Sequence, residues 1–198
     1  SSDLGSPRRA RILTDLGLPF EVIPSNIDDG DLTAPPTATA ATWTIAMAYL
    51  KARAAIEGLP AGTTGVVMGA DTSCELDGRI IGKPATAEDA ARTLRAMAGR
   101  TQRVVSGVAL VDPSHPHARR LLVADTALVE FGPLTGAQVD QYVASGAWQG
   151  KVGGYNLSER VADGWPIRVQ GDPDTVVGLP TRRLPDWLES ARTWRSEE

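Results

Sequence analysis

Val104-Val105-Ser106-Gly107-Val108-Ala109-Leu110-Val111 is followed, across a short polar stretch, by Leu121-Leu122-Val123-Ala124-Asp125-Thr126-Ala127-Leu128-Val129-Glu130-Phe131. Both runs are dominated by branched apolar residues and are bounded by turn formers, the pattern of buried strands. Between them, Asp112-Pro113-Ser114-His115-Pro116-His117 is broken by two prolines and reads as a loop tip. The two strands are therefore expected to form a hairpin. Helical patterns lie on both sides of it, in irregular alternation with shorter strands. That arrangement predicts an α/β domain built on a mixed sheet rather than a regular doubly wound one.

Toward the N-terminus, Ser6-Pro7 precedes Ile12, Leu13 and Leu16 at helical spacing, a start signal of hydroxyl cap and proline at the first helical position; Gly17 ends the helix. Phe20 to Pro24 reads as a short strand and Thr33 to Thr42 as a loop. A helix is predicted from Trp43 to Ile56, and a buried strand at Val66-Val67-Met68 that stops at Gly69-Ala70-Asp71-Thr72. Thr86 to Asp89 resembles a capping box opening a helix closed by Gly99. Toward the C-terminus, a helix is expected from Thr135 to about Gly146, a strand at Ile167 to Val169 and a closing helix at Leu184 to Ala191.

The 198 residues, 42% hydrophobic and 22% charged, are expected to form one unit, 1–198. Twenty Lys and Arg against twenty-four Asp and Glu give a net charge of −4, which argues against a protein that coats polymeric nucleic acid. One cysteine, Cys74, excludes an intramolecular disulfide and the paired-cysteine zinc sites. No apolar run reaches the ~18–20 residues that span a bilayer, and no charged-then-apolar leader opens the chain. A cytoplasmic protein with no membrane association is the expectation.

Four short clusters pair a backbone feature with a charge. Ser6-Pro7-Arg8-Arg9 opens a helix, where free N–H groups favour an anion and arginines add bidentate phosphate donors. Gly69-Ala70-Asp71-Thr72 places a carboxylate at the predicted end of a buried strand, where open α/β sheets carry ligands. Gly82-Lys83-Pro84 and Gly150-Lys151-Val152-Gly153-Gly154-Tyr155 each set a lysine among residues that stiffen or free the backbone. Each cluster taken singly also fits a solvated turn. Together they suggest a site for metal and phosphate. Neither a Walker loop nor a Gly-x-Ser-x-Gly elbow is present.

These clusters, with Asn26-Ile27-Asp28-Asp29, Lys51-Ala52, Asp77-Gly78, Ala98-Gly99-Arg100-Thr101, Tyr142-Val143-Ala144-Ser145-Gly146 and Val176-Val177-Gly178-Leu179-Pro180, resemble in order the motifs of the Maf family, from about Leu4 to Leu188. The resemblance implies the inosine-triphosphatase-like mixed-sheet fold, with two lobes around a central cleft. It implies a nucleoside triphosphate pyrophosphatase that cleaves between the α and β phosphates with Mg²⁺ or another divalent cation, and in many members a homodimer. Arg8-Arg9, Ala70-Asp71-Thr72 and the Lys151/Tyr155 pair look like the dTTP/UTP branch. A second branch, acting on 7-methyl-GTP, tends to carry Trp-Arg, Ser-Asp-Gln and Cys in those places.

By that resemblance Asp71, Lys83, Arg8 and Lys51 would be catalytic, and Asp71 and Asp29 would hold the metal. Ser6, Arg9, Thr72, Lys151, Tyr155 and Ser158 would contact substrate. The chain departs from the family at several points. Leu4 stands for Ser, Asp29 for Glu, Gln102 for His, Gly150 for Asp, and Asn156-Leu157-Ser158 for Gly-Ile-Gln. These bear on base recognition and water positioning more than on phosphate binding. A nucleotide-binding regulator of septum formation with weak turnover is therefore the alternative to an active enzyme.

Overall fold

The computed structural model describes residues 6–27 and 32–195; Leu4, Asp28 and Asp29 lie outside the described residues. Five strands form one sheet in the order β2-β1-β3-β4-β5, with β1 Val67–Leu76, β2 Arg79–Ile81, β3 Thr101–Val111, β4 Arg120–Phe131 and β5 Ile167–Gln170. Every ladder among the described residues is antiparallel. The central hairpin is β3–β4, as the two apolar runs predict. The loop between them folds back toward a neighbouring helix, where Tyr49 Oη donates to the Pro116 carbonyl at 3.2 Å.

The first strand departs from expectation. It does not stop at Gly69 but continues to Leu76, so Asp71 sits in mid-strand opposite Gly107 rather than at a strand end. The turn-forming residues 69–71 are tolerated because Gly69 and Gly107 serve helix packing. Asp77 and Gly78, at φ 52° and 74°, then close a tight turn into β2, which only Asp-Gly type pairs make without strain. Phe20 to Pro24 is not a strand. It pairs with nothing in the sheet, Pro19 and Pro24 deprive its ends of N–H donors, and Phe20 and Val22 remain 42% and 44% exposed.

Helix α1 spans Pro7–Asp15, α2 Ala40–Glu57, α3 Ala87–Met97, α4 Gly136–Ala144, α5 Leu157–Ala162, α6 Pro173–Val177 and α7 Leu184–Arg192. Helix α2 begins three residues before the expected Trp43, because Thr39 and Thr42 cap each other's backbone reciprocally. Helices α5 and α6 are absent from the sequence reading; each is little more than one turn, too short to show a period.

The alternation of β1 sorts its side chains onto two faces. Gly69 and Asp71 face α2. A Cβ on Gly69 would lie 2.0 Å from the Ala48 carbonyl oxygen, and one on Gly107 2.6 Å from the Thr44 carbonyl carbon. The helix backbone thus rests directly on the sheet, helped by Ala48, Ala52 and Ala55 against Val67, Ala109 and Val111. The opposite face carries Ala70, Thr72 and Cys74. There α1 and α7 cover Ala70, Val108 and Leu110, while α3 and α4 bury Leu94, Met97 and Tyr142 with Phe131, Trp148, Tyr155 and Trp165. Each fully buried Leu or Met of this kind contributes about 1.5–3 kcal/mol, so the core that fixes the site's floor is built from both helix pairs.

Candidate active site

Strand β2 pairs only with Cys74, Glu75 and Leu76, so among the described residues no strand covers the edge of β1 from Val67 to Ser73. Cavities on the two faces of the sheet meet at that edge, and Thr72 and Val152 line both. The cavity on the α2 side, about 530 Å³, is lined by Asp71, Ser73 and Lys83 with Trp43 and Met47. The one on the opposite side, about 480 Å³, is lined by Arg8, Tyr155, Ser158 and Glu159. One groove therefore wraps an uncovered strand edge.

Asp71 is the carboxylate at the centre of this groove. Lys51, reaching from α2, places Nζ 2.7 Å from Asp71 Oδ1, with side chains 1% and 10% exposed. The close seating of α2 on Gly69 and Gly107 makes this contact possible, since the lysine rises from the same helix stretch as Ala48 and Ala52. Lys51 thus meets Asp71 from beneath and is buried away from solvent. Lys83 follows β2 in the wall of the same cavity. Its segment is tied across the groove, because Gly153 N–H donates to the Gly82 carbonyl at 3.0 Å.

Helix α1 delivers its two arginines to different places. Arg8 is exposed and lines the second cavity. Arg9 is 5% exposed; its Nε donates to the Gly178 carbonyl at 2.8 Å and its Nη2 to Thr72 Oγ1 at 3.1 Å. The Ser106 hydroxyl donates to the Thr175 carbonyl at 2.7 Å, so the Thr72 hydroxyl, 2.7 Å from Ser106 Oγ, donates to it. Thr175 in turn donates to Asp125 Oδ2 at 2.6 Å. Arg9 and Thr72 are therefore joined in one buried chain of bonds linking α1, β1, β3 and α6. Ser6 caps α1 without a side-chain bond to the helix.

The glycine-rich stretch forms a tight 3₁₀ turn at Val152–Gly154, with Gly153 and Gly154 at φ 67° and 76°. It swings Tyr155 inward, where the ring stacks edge-on against Phe131 at 5.0 Å. Gln102 Nε2 donates to Tyr155 Oη at 2.9 Å, and Cys74 Sγ donates to Gln102 Oε1 at 2.5 Å. Burial, then the neighbouring Glu75 charge, pushes the Cys74 thiol up to about 12. Burial, then Cys74, also holds the Tyr155 phenol well above its ordinary value. Cys74 is thus an inert packing and hydrogen-bonding group, since the thiolate is the reactive form. Lys151 Nζ donates to Glu159 Oε2 at 2.5 Å, and Asn156 caps α5 through the Glu159 N–H at 3.2 Å.

The groove accordingly gathers Asp71, Lys51, Lys83, Arg8, Thr72, Tyr155 and Ser158, with Lys151 held at its wall through Glu159 and Arg9 buried beneath it. Asp29 lies outside the described residues. No group of three or more His, Cys, Asp and Glu that would hold a metal exists among the described residues. Glu159 and Ser106 join the site without having been singled out for it, and Gln102, noted only as a departure from the family, bonds Tyr155 and Cys74 there. Asn156 followed three residues later by Glu159 is a helix-start pattern that would have revealed α5; the Gln102 and Ser106 contacts join residues far apart in sequence and leave no local signal. No helix among the described residues is long and apolar enough to cross a membrane.

A family model described as "Maf-like protein" matches residues 4–191. The chain is 40% identical over 184 residues to a dTTP/UTP pyrophosphatase of Moorella thermoacetica, covering 92% of this chain and 90% of that protein. It is 37% identical over 185 residues to a dTTP/UTP pyrophosphatase of Pelotomaculum thermopropionicum, covering 93% and 92%. A third, from Ruminiclostridium cellulolyticum, is 33% identical over 186 residues, covering 93% and 91%.

Proposed function

The chain belongs to the Maf-like protein family, and we propose that it hydrolyses pyrimidine nucleoside triphosphates of the dTTP/UTP type to the nucleoside monophosphate and pyrophosphate. The observation that carries this reading is the buried Lys51–Asp71 pair at an uncovered strand edge, with Lys83 in the same cavity and Arg8 in the adjoining one. A triphosphate spread along this groove meets cations from both faces of the sheet. In the reaction a water oxygen bonds to the α phosphorus, and the bond from that phosphorus to the bridging oxygen breaks. The bridging oxygen leaves with pyrophosphate.

Asp71 orients the attacking water and accepts its proton in this reading, supported by the buried Lys51 ammonium that fixes its carboxylate at 2.7 Å. Lys83 and Arg8 offset charge that gathers on the phosphate oxygens in the transition state. Lys151, Ser6, Arg9, Thr72, Tyr155 and Ser158 bind or position the substrate in this reading.

Asp71 supplies one oxygen ligand, and magnesium sites commonly combine one or two carboxylates with substrate phosphates. Asp71 is compatible with such a ligand role for Mg²⁺ or another divalent cation, and the family resemblance adds Asp29, outside the described residues, as the second carboxylate. When bound, such a cation neutralises phosphate charge as a Lewis acid. A homodimer enters this reading through the family resemblance, and a cytoplasmic setting and the whole chain acting as one unit enter it from the sequence analysis.

Purified protein with Mg²⁺ and single nucleoside triphosphates should release pyrophosphate from UTP and dTTP. Asp71→Asn should lower turnover by about 100-fold or more while still binding UMP. Silence across a full nucleotide panel, with nucleotide bound and the fold intact by circular dichroism, refutes the enzyme and favours a binding regulator.

A further inference from the structure

The site contains an ion pair whose two halves are held very differently. Lys151 is rooted in a stiff turn: its N–H donates to the Trp148 carbonyl at 3.2 Å, its carbonyl accepts from Gly154 N–H at 2.9 Å, and its side chain is 18% exposed. Glu159, its partner, is 47% exposed and stands on the first turn of the six-residue α5. Its carboxylate lines the cavity that also holds Arg8 and Ser158. Lys151 is the more buried member of the pair and its backbone is held on both sides, whereas Glu159 is the more exposed, so the carboxylate is the member better able to turn aside into solvent. Lys151 stands behind Glu159 at the edge of this cavity, so an anion that reaches its ammonium competes with Glu159 for it.

Resting on the functional reading above, we propose that Glu159 is an internal competitor for the substrate's phosphates: it occupies Lys151 in the free protein and must be displaced when the triphosphate binds. It thereby sets substrate affinity and favours release of pyrophosphate, because the carboxylate returns to the ammonium as the product leaves. A polyanionic phosphate carries more charge than one carboxylate and wins the exchange, at reduced net affinity. Arg160, whose Nη2 lies 3.9 Å from Glu159 and 2.8 Å from Asp163, offers the displaced carboxylate a second cation.

The test measures inorganic pyrophosphate binding by calorimetry and UTP kinetics in parallel, on the full chain. Glu159→Gln keeps the side-chain shape and the Asn156 cap. It should tighten pyrophosphate binding and lower the KM for UTP by about two- to fivefold, the range expected from freeing one exposed ion pair. Raising the salt should shrink the difference. In a Lys151→Met background the same substitution should change neither quantity.

Unchanged or weaker pyrophosphate affinity in Glu159→Gln, with circular dichroism and melting as in the wild type, overturns the inference. So does an equal gain in the Lys151→Met background, which would mark a general charge effect. A wild-type protein that binds pyrophosphate yet turns over no nucleotide refutes the pyrophosphatase reading and leaves the Glu159 competition standing on the binding data.

Discussion

Replacing Lys51 by Met removes the ammonium that sits 2.7 Å from Asp71 Oδ1, in a lysine 1% exposed. At that separation the attraction is about 6 kcal/mol for an effective dielectric of about 20, and the desolvation of both ions offsets much of it. Methionine follows the lysine stem in shape, so packing against α2's neighbours is largely kept. What remains is a nearly buried carboxylate that has lost its fixed cation, and breaking such a pair from one side typically costs about 3–5 kcal/mol. For a chain of this size each kcal/mol moves the melting temperature by about 2–4 °C, so a fall of about 6–20 °C is expected. Urea melts should show a lower midpoint with an unchanged slope, since the surface exposed on unfolding is the same. Removing both charges, with Lys51→Met and Asp71→Leu together, should cost less than the sum of the single changes by about 2 kcal/mol or more. A single-variant loss below about 1 kcal/mol, or simple additivity of the two, refutes the claim that this pair is buried and mutually dependent.

Two further outcomes test other parts of the structure. Gly69→Ala brings a Cβ to 2.0 Å from the Ala48 carbonyl oxygen, a backbone atom that yields only if α2 lifts; overpacking of this kind costs about 1–3 kcal/mol or more. The lift carries Lys51 away from Asp71, so turnover should fall more than the melting midpoint suggests, and an alanine variant with wild-type melting and activity refutes the close seating. Cys74, Tyr142 and Tyr155 all keep their protons to higher pH in the fold, the first two to about 12, each chiefly through burial. Their contribution is complete below the unfolded values and is lost as pH rises, because the unfolded chain sheds protons first; urea melts should therefore show stability falling from about pH 9 upward, by about 1.4 kcal/mol per pH unit for each group in its window. Equal midpoints at about pH 8 and pH 10.5 contradict that burial.

The parts of the fold legible in the sequence are those where one physical signal dominates. Val104–Val111 is buried on both faces, and Leu121–Phe131 is rich in branched apolar residues although Thr126 and Glu130 leave one face of its second half exposed, so composition marks both as strands. Helices α1 and α3 carry a cap, an apolar stripe and a closing glycine in close succession. Strand β1 is misread past Met68 because Gly69, Ala70 and Asp71 each serve something outside the strand. Gly69 admits a helix backbone, and Asp71 answers a buried lysine twenty residues away in sequence. Turn chemistry and close packing select the same residue types, and only the tertiary contact tells them apart.

The same conflict explains the legibility of the site. Asp71 and Lys83 are recognisable by motif, yet their roles come from what α2 and the glycine-rich turn bring to them. Placing the carboxylate in mid-strand rather than at a strand end has a mechanical consequence: its backbone is held by the β3 ladder on one side, while no strand among the described residues pairs with the other edge. Asp71 is thus held by a long strand ladder and a buried lysine, whereas Glu159 is exposed on a six-residue helix. The groove thus sets its acidic groups on different supports. In the function proposed above, Asp71 orients the reacting water and Glu159 exchanges with phosphate. Interchanging those supports, by loosening β1 or stiffening α5, should damage chemistry in the first case and binding in the second.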